Sequence, residues 1–134
     1  MKVFLDTNVV LDVFLKRQPH YSASNRVLCL ARQKILSGAV ASHTIANLFY
    51  LCGKPVLPFL EDRLLEDVEV CAADAYGVRT ALRWGFADLE DALQAAAAQE
   101  WKSSFLLTRN LRHFKRSPVP AVTPADFLQR FFKS

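Results

Sequence analysis

Residues 2–8 read Lys2-Val3-Phe4-Leu5-Asp6-Thr7-Asn8. An apolar run, Lys2 to Leu5, that ends on a carboxylate has the shape of a buried strand whose last residue reaches solvent. Asn8 to Leu15 then reads as a helix, with Val9, Val10, Val13 and Phe14 on one side. A strand followed at once by a helix is the unit from which parallel sheets are built.

The unit recurs. Pro19 can open a second helix, with Val27, Leu28, Leu30, Ala31, Ile35 and Leu36 at helical spacing and Gly38 as its stop. Ala39 to Ser42 is expected as a strand and His43 to Cys52 as a helix, ended by Gly53-Lys54-Pro55. Pro55 to Glu66 reads as a short helix, Val68 to Cys71 as a strand, and Ala73 to Trp84 as a helix opened by Asp74 and closed by Gly85. Asp88 to Trp101 is helical and alanine-rich. Phe105 to Leu107 is a strand ending at Thr108, and Val119 to Val122 a last short one. Thr123 and Pro124 supply the cap and first-turn proline of a terminal helix carrying Phe127, Leu128, Phe131 and Phe132. Short strands alternating with helices give an α/β fold, a parallel sheet covered on both faces. Such sheets bind ligands at the carboxyl ends of their strands, which singles out Asp6, Ser42 and Thr108.

The chain has 134 residues, which reads as a single domain spanning 1–134, because domains usually hold roughly 100–200 residues. A hydrophobic content of 51% excludes disorder, and four glycines with six prolines exclude a linker or collagen-like composition. Cys29, Cys52 and Cys71 form no CxxC pair, so neither a zinc site nor a redox motif is expected; each reads as a small buried filler. Asp6 and Asp12 interrupt the N-terminal apolar stretch, so no signal peptide is expected. No segment approaches the roughly 20 apolar residues that span a bilayer. The chain is expected to be cytoplasmic, with no membrane partner.

The net charge of +4 hides a split. Met1 to Glu100 holds 10 basic and 12 acidic residues, a net of −2. Trp101 to Ser134 holds 7 basic residues (Lys102, Arg109, Arg112, Lys115, Arg116, Arg130, Lys133) against Asp126 alone, a net of +6. A basic quarter on a faintly acidic body suits a polyanion, and on charge alone it suits a solvated surface equally.

Three groups of residues could carry chemistry. Asp6, at the mouth of the sheet, needs a cation, a donor or water, with Thr7 and Asn8 beside it; the plain alternative is a helix cap. Asp88 and Asp91 lie three apart on one helix face, whereas Glu90 points elsewhere. Their plain reading is acids that complement the helix dipole. Against it, the small face of Ala92, Leu93 and Ala95 to Ala98 lets this helix lie close to the sheet, bringing Asp91 towards the strand ends. Two carboxylates about 4 Å apart repel by about 4 kcal/mol at an effective dielectric near 20. A cluster of Asp6, Asp88 and Asp91 would then need a divalent cation, and oxygen ligands point to Mg²⁺ or Mn²⁺. The third group is Thr108-Arg109-Asn110 with His113, suited to a phosphate or an ordered water, or simply a charged turn.

Asp6-Thr7-Asn8, Ser42 to Asn47, Asp88-Leu89-Glu90-Asp91-Ala92 and Thr108-Arg109-Asn110, in this order and at these distances, resemble the PIN-domain family, and most of all the VapC-type toxins of bacterial toxin–antitoxin pairs. The likeness runs through the closing Val122-Thr123-Pro124 and Phe127-Leu128. It implies a three-layer, Rossmann-like PIN fold with a central, mostly parallel sheet of about five strands. It also implies a metal-dependent endoribonuclease that cleaves RNA phosphodiester bonds. Carried over by position, Asp6, Asp88 and Asp91 are the catalytic and metal-site carboxylates for Mg²⁺ or Mn²⁺. Thr7, Asn8, Asn47, Thr108, Arg109, Asn110 and His113 orient waters, ligands or substrate. RNA, a cognate antitoxin and a second copy of the chain are the implied partners.

Two departures stand out. Asn47 replaces the family's usual Glu on the third helix, and His113 replaces its usual Asp before the Phe. Asn47 still offers a carbonyl oxygen, and the imidazole suits Mn²⁺ better than Mg²⁺. Fewer carboxylates imply weaker metal affinity, so the alternative is a degenerate PIN module that binds RNA or a partner protein without cleaving. In this frame Arg109, Arg112, Lys115 and Arg116 flank the metal pocket as phosphate contacts. A haloacid-dehalogenase-type phosphatase would want Asp where Asn8 stands. A response-regulator receiver would want an Asp where Cys71-Ala72-Ala73 follows the third strand.

Overall fold

Val3, Phe4 and Leu5 are fully buried because the strand that carries them, β1 (Lys2–Leu5), lies in the middle of a sheet. The computed structural model describes residues 1–132; Lys133, counted above in the basic quarter, and Ser134 lie outside the described residues. The partners of β1 are β2 (Ser37–Ala41) on one side and β4 (Phe105–Leu107) on the other. Strands β3 (Val68–Cys71) and β5 (Ala121–Val122) close the two edges, giving the order β3-β2-β1-β4-β5 with every pairing parallel.

The two-residue period of the strands builds the two faces. Val3, Leu5, Val40 and Leu107 pack into a core with α1 (Thr7–Phe14), α2 (Tyr21–Arg32), α3 (Ser42–Cys52) and α8 (Pro124–Phe131). Phe4, Ala39, Ala41 and Leu106 face the opposite way, onto Ala95, Ala97 and Ala98 of α7 (Leu89–Glu100). Ala81 of α6 (Ala75–Leu82) packs behind, against Ala92 and Ala96. Within the alanine stripe of α7, Ala95, Ala97 and Ala98 thus face the sheet, and Ala92 and Ala96 face α6. The result is the three-layer α/β arrangement expected from the sequence.

Some boundaries differ. Helix α2 ends at Arg32 rather than running to Gly38: Lys34 takes φ 60° and its N–H donates to the Ala31 carbonyl, leaving Ile35 exposed. Gly38 lies inside β2 and is no stop. A Cβ there would meet Val68 Cγ1 at 3.0 Å, so glycine is what lets β3 close in. The last strand is shorter than expected, since Pro120 has no N–H to give and pairing begins with its carbonyl, which accepts from Leu106. The segment expected as one helix at Pro55 to Glu66 is a composite. A 3₁₀ turn Lys54–Val56 leads into α4 (Leu57–Phe59), a wider π turn Leu60–Leu64 and α5 (Leu65–Asp67). The three free cysteines are half-buried rather than buried. No helix among the described residues is long and apolar enough to cross a membrane.

Candidate functional site

Register brings the first two site residues together. Leu5 pairs with Leu107, so the next residues, Asp6 and Thr108, emerge side by side at the carboxyl ends of the two central strands. The Asp6 N–H donates to the Leu107 carbonyl at 3.0 Å, and the Thr108 hydroxyl donates to Asp6 Oδ2 at 2.8 Å. Thr108 itself is fully buried, and its oxygen accepts the Asn110 N–H at 3.0 Å, which fixes the hydroxyl as a donor towards Asp6. Asp6 precedes α1, yet its side chain makes no capping hydrogen bond. The helix-cap reading fails for Asp6.

The second arm comes from α7. Gln94, 2% exposed, sits one helical turn after Asp91 on the same face. Its Nε2 donates to Asp6 Oδ1 at 3.0 Å and to Asp91 Oδ1 at 3.4 Å. At its other end Oε1 accepts the Thr7 backbone N–H at 3.0 Å, one of the N–H groups that a helix start leaves without a partner. That acceptor role fixes which end of the amide is oxygen, and so points the NH₂ at the carboxylates. One side chain thus caps α1 and bridges the two acids. The Thr7 hydroxyl shares a 2.7 Å hydrogen bond with the buried Thr44 of α3, tying the third helix to the same point.

Asp88 behaves differently. Its carboxylate caps α7, accepting the Glu90 N–H at 2.8 Å and the Asp91 N–H at 3.4 Å. The dipole-and-cap reading, set aside for Asp6, applies to Asp88. Glu90 is pinned from three sides: its N–H by Asp88, its carbonyl by the His43 Nε2 proton at 3.2 Å, and its Oε2 by the Asn47 amide at 3.0 Å. Glu90 thus brings a carboxylate from α7 to the Asn47 amide, at the same cleft.

Asp6, Thr7, Asn8, Asn47, Asp88, Asp91 and His113 line one cleft of about 330 Å³, together with Tyr50, Leu51, Glu90 and Gln94. Thr108 stands behind Asp6. The remaining two expected residues lie elsewhere. Arg109 turns to the buried Asp12, donating from Nε at 2.8 Å, and lines a separate cleft with it. Asn110 contributes its backbone and opens the 3₁₀ turn Leu111–Phe114. Ser42, at the end of β2, is exposed and lines neither cleft beside the carboxylates. A second cleft, of about 340 Å³, lined in part by Phe86, Arg112, Lys115 and Arg116, adjoins the first and shares Asp88, Asp91 and His113 with it.

Burial dominates the electrostatics of Asp6 and Asp91. Burial pushes the Asp6 carboxyl above its ordinary value, opposed by its Gln94 and Thr108 hydrogen bonds. Burial also raises Asp91, to about 6, with the charges of Asp6 and Asp88 adding to the effect and His113 opposing it. His113 Nδ1 lies 3.5 Å from Asp91 Oδ2. No lysine or arginine forms an ion pair with Asp6, Asp88 or Asp91 among the described residues. Nor do three Asp, Glu, His or Cys side chains there converge into a ready cage for a metal. Asp6 and Asp91 supply carboxylate oxygens, the donor type that hard divalent cations take.

Gln94 and Glu90 were the residues that the sequence did not yield as site members. Gln94 carried a signal: it is the one amide inside the alanine stripe, three residues after Asp91. Glu90 carried none, because only the approach of α3 gives it a partner.

The sequence profile of the PIN domain matches residues 2–112. No curated protein matches the chain. Among solved structures, the fold is similar to VapBC2 from Rickettsia felis bound to a promoter DNA fragment. The TM-score is 0.68 and the identity 24%, covering 92% of this chain and 98% of that one. It is also similar to FitAB bound to the IR36 DNA fragment, with a TM-score of 0.67 and 17% identity over 91% and 94% of the two chains. A toxin–antitoxin complex from Klebsiella pneumoniae gives a TM-score of 0.65 and 23% identity over 91% and 97%. With a profile match over residues 2–112 and a five-stranded parallel sheet, this chain belongs to the PIN-domain family.

Proposed function

We propose that this chain is a divalent-cation-dependent endoribonuclease and the toxin of a cytoplasmic toxin–antitoxin pair. The observation that carries the reading is the Asp6–Gln94–Asp91 bridge, with Asp6 and Gln94 buried and Asp91 half-buried, open to a cleft and, among the described residues, paired with no lysine or arginine. Asp6 and Asp91 are the residues that would hold Mg²⁺ or Mn²⁺, with Asp88 and Glu90 adding negative charge at the same cleft and His113 favouring Mn²⁺. A bound divalent cation supplies a hydroxide-like nucleophile and offsets charge on the attacked phosphate. Thr108 and Gln94 hold the Asp6 carboxylate in one orientation, so that ordering it costs nothing at the moment of reaction. Asn8 and Asn47 offer amides to waters or to the sugar–phosphate backbone. Arg112, Lys115 and Arg116, beside the same acids, offer cations to neighbouring phosphates.

Likeness to toxin–antitoxin complexes supports an antitoxin as the partner, and Phe49, Tyr50 and Leu51 of α3 present apolar surface to it, Tyr50 and Leu51 at the cleft itself. A second copy of the chain is the other expected partner. Binding of RNA or a partner without cleavage is the second reading, favoured by Asp88's engagement as a cap and by Asn47. Incubating RNA with Mn²⁺ and either wild type or Asp6→Asn decides between them. Cleavage lost in the variant supports catalysis; RNA bound intact by both supports the second reading.

A further inference from the structure

The cleft beside the carboxylates has a composition that phosphodiester hydrolysis does not require. Its about 340 Å³ falls at the lower end of small-molecule pockets, large enough for one nucleotide. One wall is the ring of Phe86, braced edge-on by Phe114 with centroids 6.0 Å apart and flanked by Trp84 at 6.0 Å. The rim is cationic, with Arg112, Lys115 and Arg116. Arg116 is seated rather than loose: Nη1 donates to the Trp84 carbonyl at 3.4 Å and lies over Gly85. Gly85 has φ 79°, and a Cβ there would stand 2.9 Å from that nitrogen. Glycine thus provides both the turn and the space in which the guanidinium rests.

We infer that this second cleft takes one nucleotide of single-stranded RNA, its base stacked on Phe86 and its phosphate held by Arg112, Lys115 and Arg116. The inference rests on the hydrolase reading for its direction, since Asp88, Asp91 and His113 form a wall common to both clefts. A nucleotide in the second cleft places the next phosphate of the strand at the carboxylates. Charge and π-face together select a nucleic acid strand over a simple polyanion, because every base offers a ring to stack while phosphates alone offer none. An unpaired strand is required, because bases inside a duplex are already stacked.

The test is carried out in EDTA, so that binding is read without cleavage. Fluorescence anisotropy compares a short labelled oligouridylate with inorganic polyphosphate as probes of wild type and Phe86→Leu, a change that keeps an apolar side chain against Phe114 and removes the ring. Phe86→Leu is expected to weaken oligouridylate binding about tenfold and to leave polyphosphate binding unchanged. Equal RNA affinity in the two proteins would overturn the inference, as would equal losses for both probes. A second measurement uses wild type alone, with a single abasic residue walked along the RNA. Loss confined to one or two positions supports the cleft, and a loss independent of position overturns it. If binding behaves as expected while wild type with Mn²⁺ leaves RNA uncut, the nucleotide cleft stands and the hydrolase reading falls.

Discussion

Asp12 and Asp6 lie six residues apart, both buried, 0% and 3% exposed, and the chain treats them in opposite ways. Asp12 receives two guanidiniums, Arg17 Nε at 2.7 Å and Arg109 Nε at 2.8 Å. Asp67, the third buried aspartate, has Arg32 at 3.2 Å and Arg63 at 3.6 Å, a looser pairing in which neither carboxylate oxygen accepts a hydrogen bond. Asp6 receives an amide and a hydroxyl, and beside it stands a second carboxylate, Asp91, instead of a cation. Burying a charge costs least when it is paired and hydrogen-bonded. Where an aspartate ties elements together, the chain supplies the cation itself. At the mouth of the sheet, among the described residues, no lysine or arginine pairs with Asp6 or Asp91, and that contrast is the ground for the proposed cation site.

The largest expected effect breaks the compensated side. Asp12→Ala removes the acid shared by Arg17 and Arg109, and about 3 kcal/mol of unfolding free energy should be lost in urea titrations. Asp6→Asn, by contrast, relieves repulsion with Asp91 but sets its NH₂ against Gln94 or Thr108, and should cost about 1 kcal/mol of metal-free stability, less than Asp12→Ala. Similar losses for the two variants would erase the contrast. Next in size is Gln94→Leu, which strands the Thr7 N–H and removes the donor between the acids. It should cost about 2 kcal/mol, with part of the loss recovered on adding Mn²⁺.

A pH series sharpens the comparison with a sign. The Asp91 carboxyl is raised from 3.8 to about 6, so the folded protein takes up a proton before the unfolded chain does. Its penalty is therefore fully present above pH 6 and is relieved as pH falls towards 4. Through this group, metal-free melting temperature should rise between pH 7 and 5, and Asp91→Asn should flatten the rise. Stabilisation by added Mn²⁺ should fade over the same interval, as protons displace the cation. The smallest effect is expected at the exposed Glu90. Glu90→Gln should weaken Mn²⁺ binding severalfold at little cost in stability, and Asn47→Glu in that background should restore it. No change in Mn²⁺ affinity would remove Glu90 from the site.

The strand residues were legible because burial on both faces of a central parallel strand demands an unbroken apolar run, as in Val3-Phe4-Leu5, and alternation with helices implied parallel pairing, whereas the strand order was not legible. Asp6, Asp91 and Thr108 were legible because strand ends and one helix face are fixed by local geometry. Arg109 was not: its sequence neighbours place it beside Thr108, but the direction of its long side chain is decided by Asp12, a residue 97 positions away. Gln94 was hidden for a related reason. A glutamine within an alanine stripe gives no hint that its two ends meet a helix start and two acids until α7 is laid on the sheet. Helix ends were hidden where an unusual residue does the work of glycine, as Lys34 does after α2.

The most direct test is an isothermal titration of Mn²⁺ into metal-free wild type, Asp6→Asn and Arg17→Ala, the last disturbing a compensated pair instead of the open one. The expected result is Mn²⁺ binding by wild type and Arg17→Ala at up to millimolar concentrations, and none by Asp6→Asn. Wild type that takes up no Mn²⁺ or Mg²⁺ in this range, or Asp6→Asn that binds as wild type does, would contradict the assignment of Asp6 and Asp91 as a cation site.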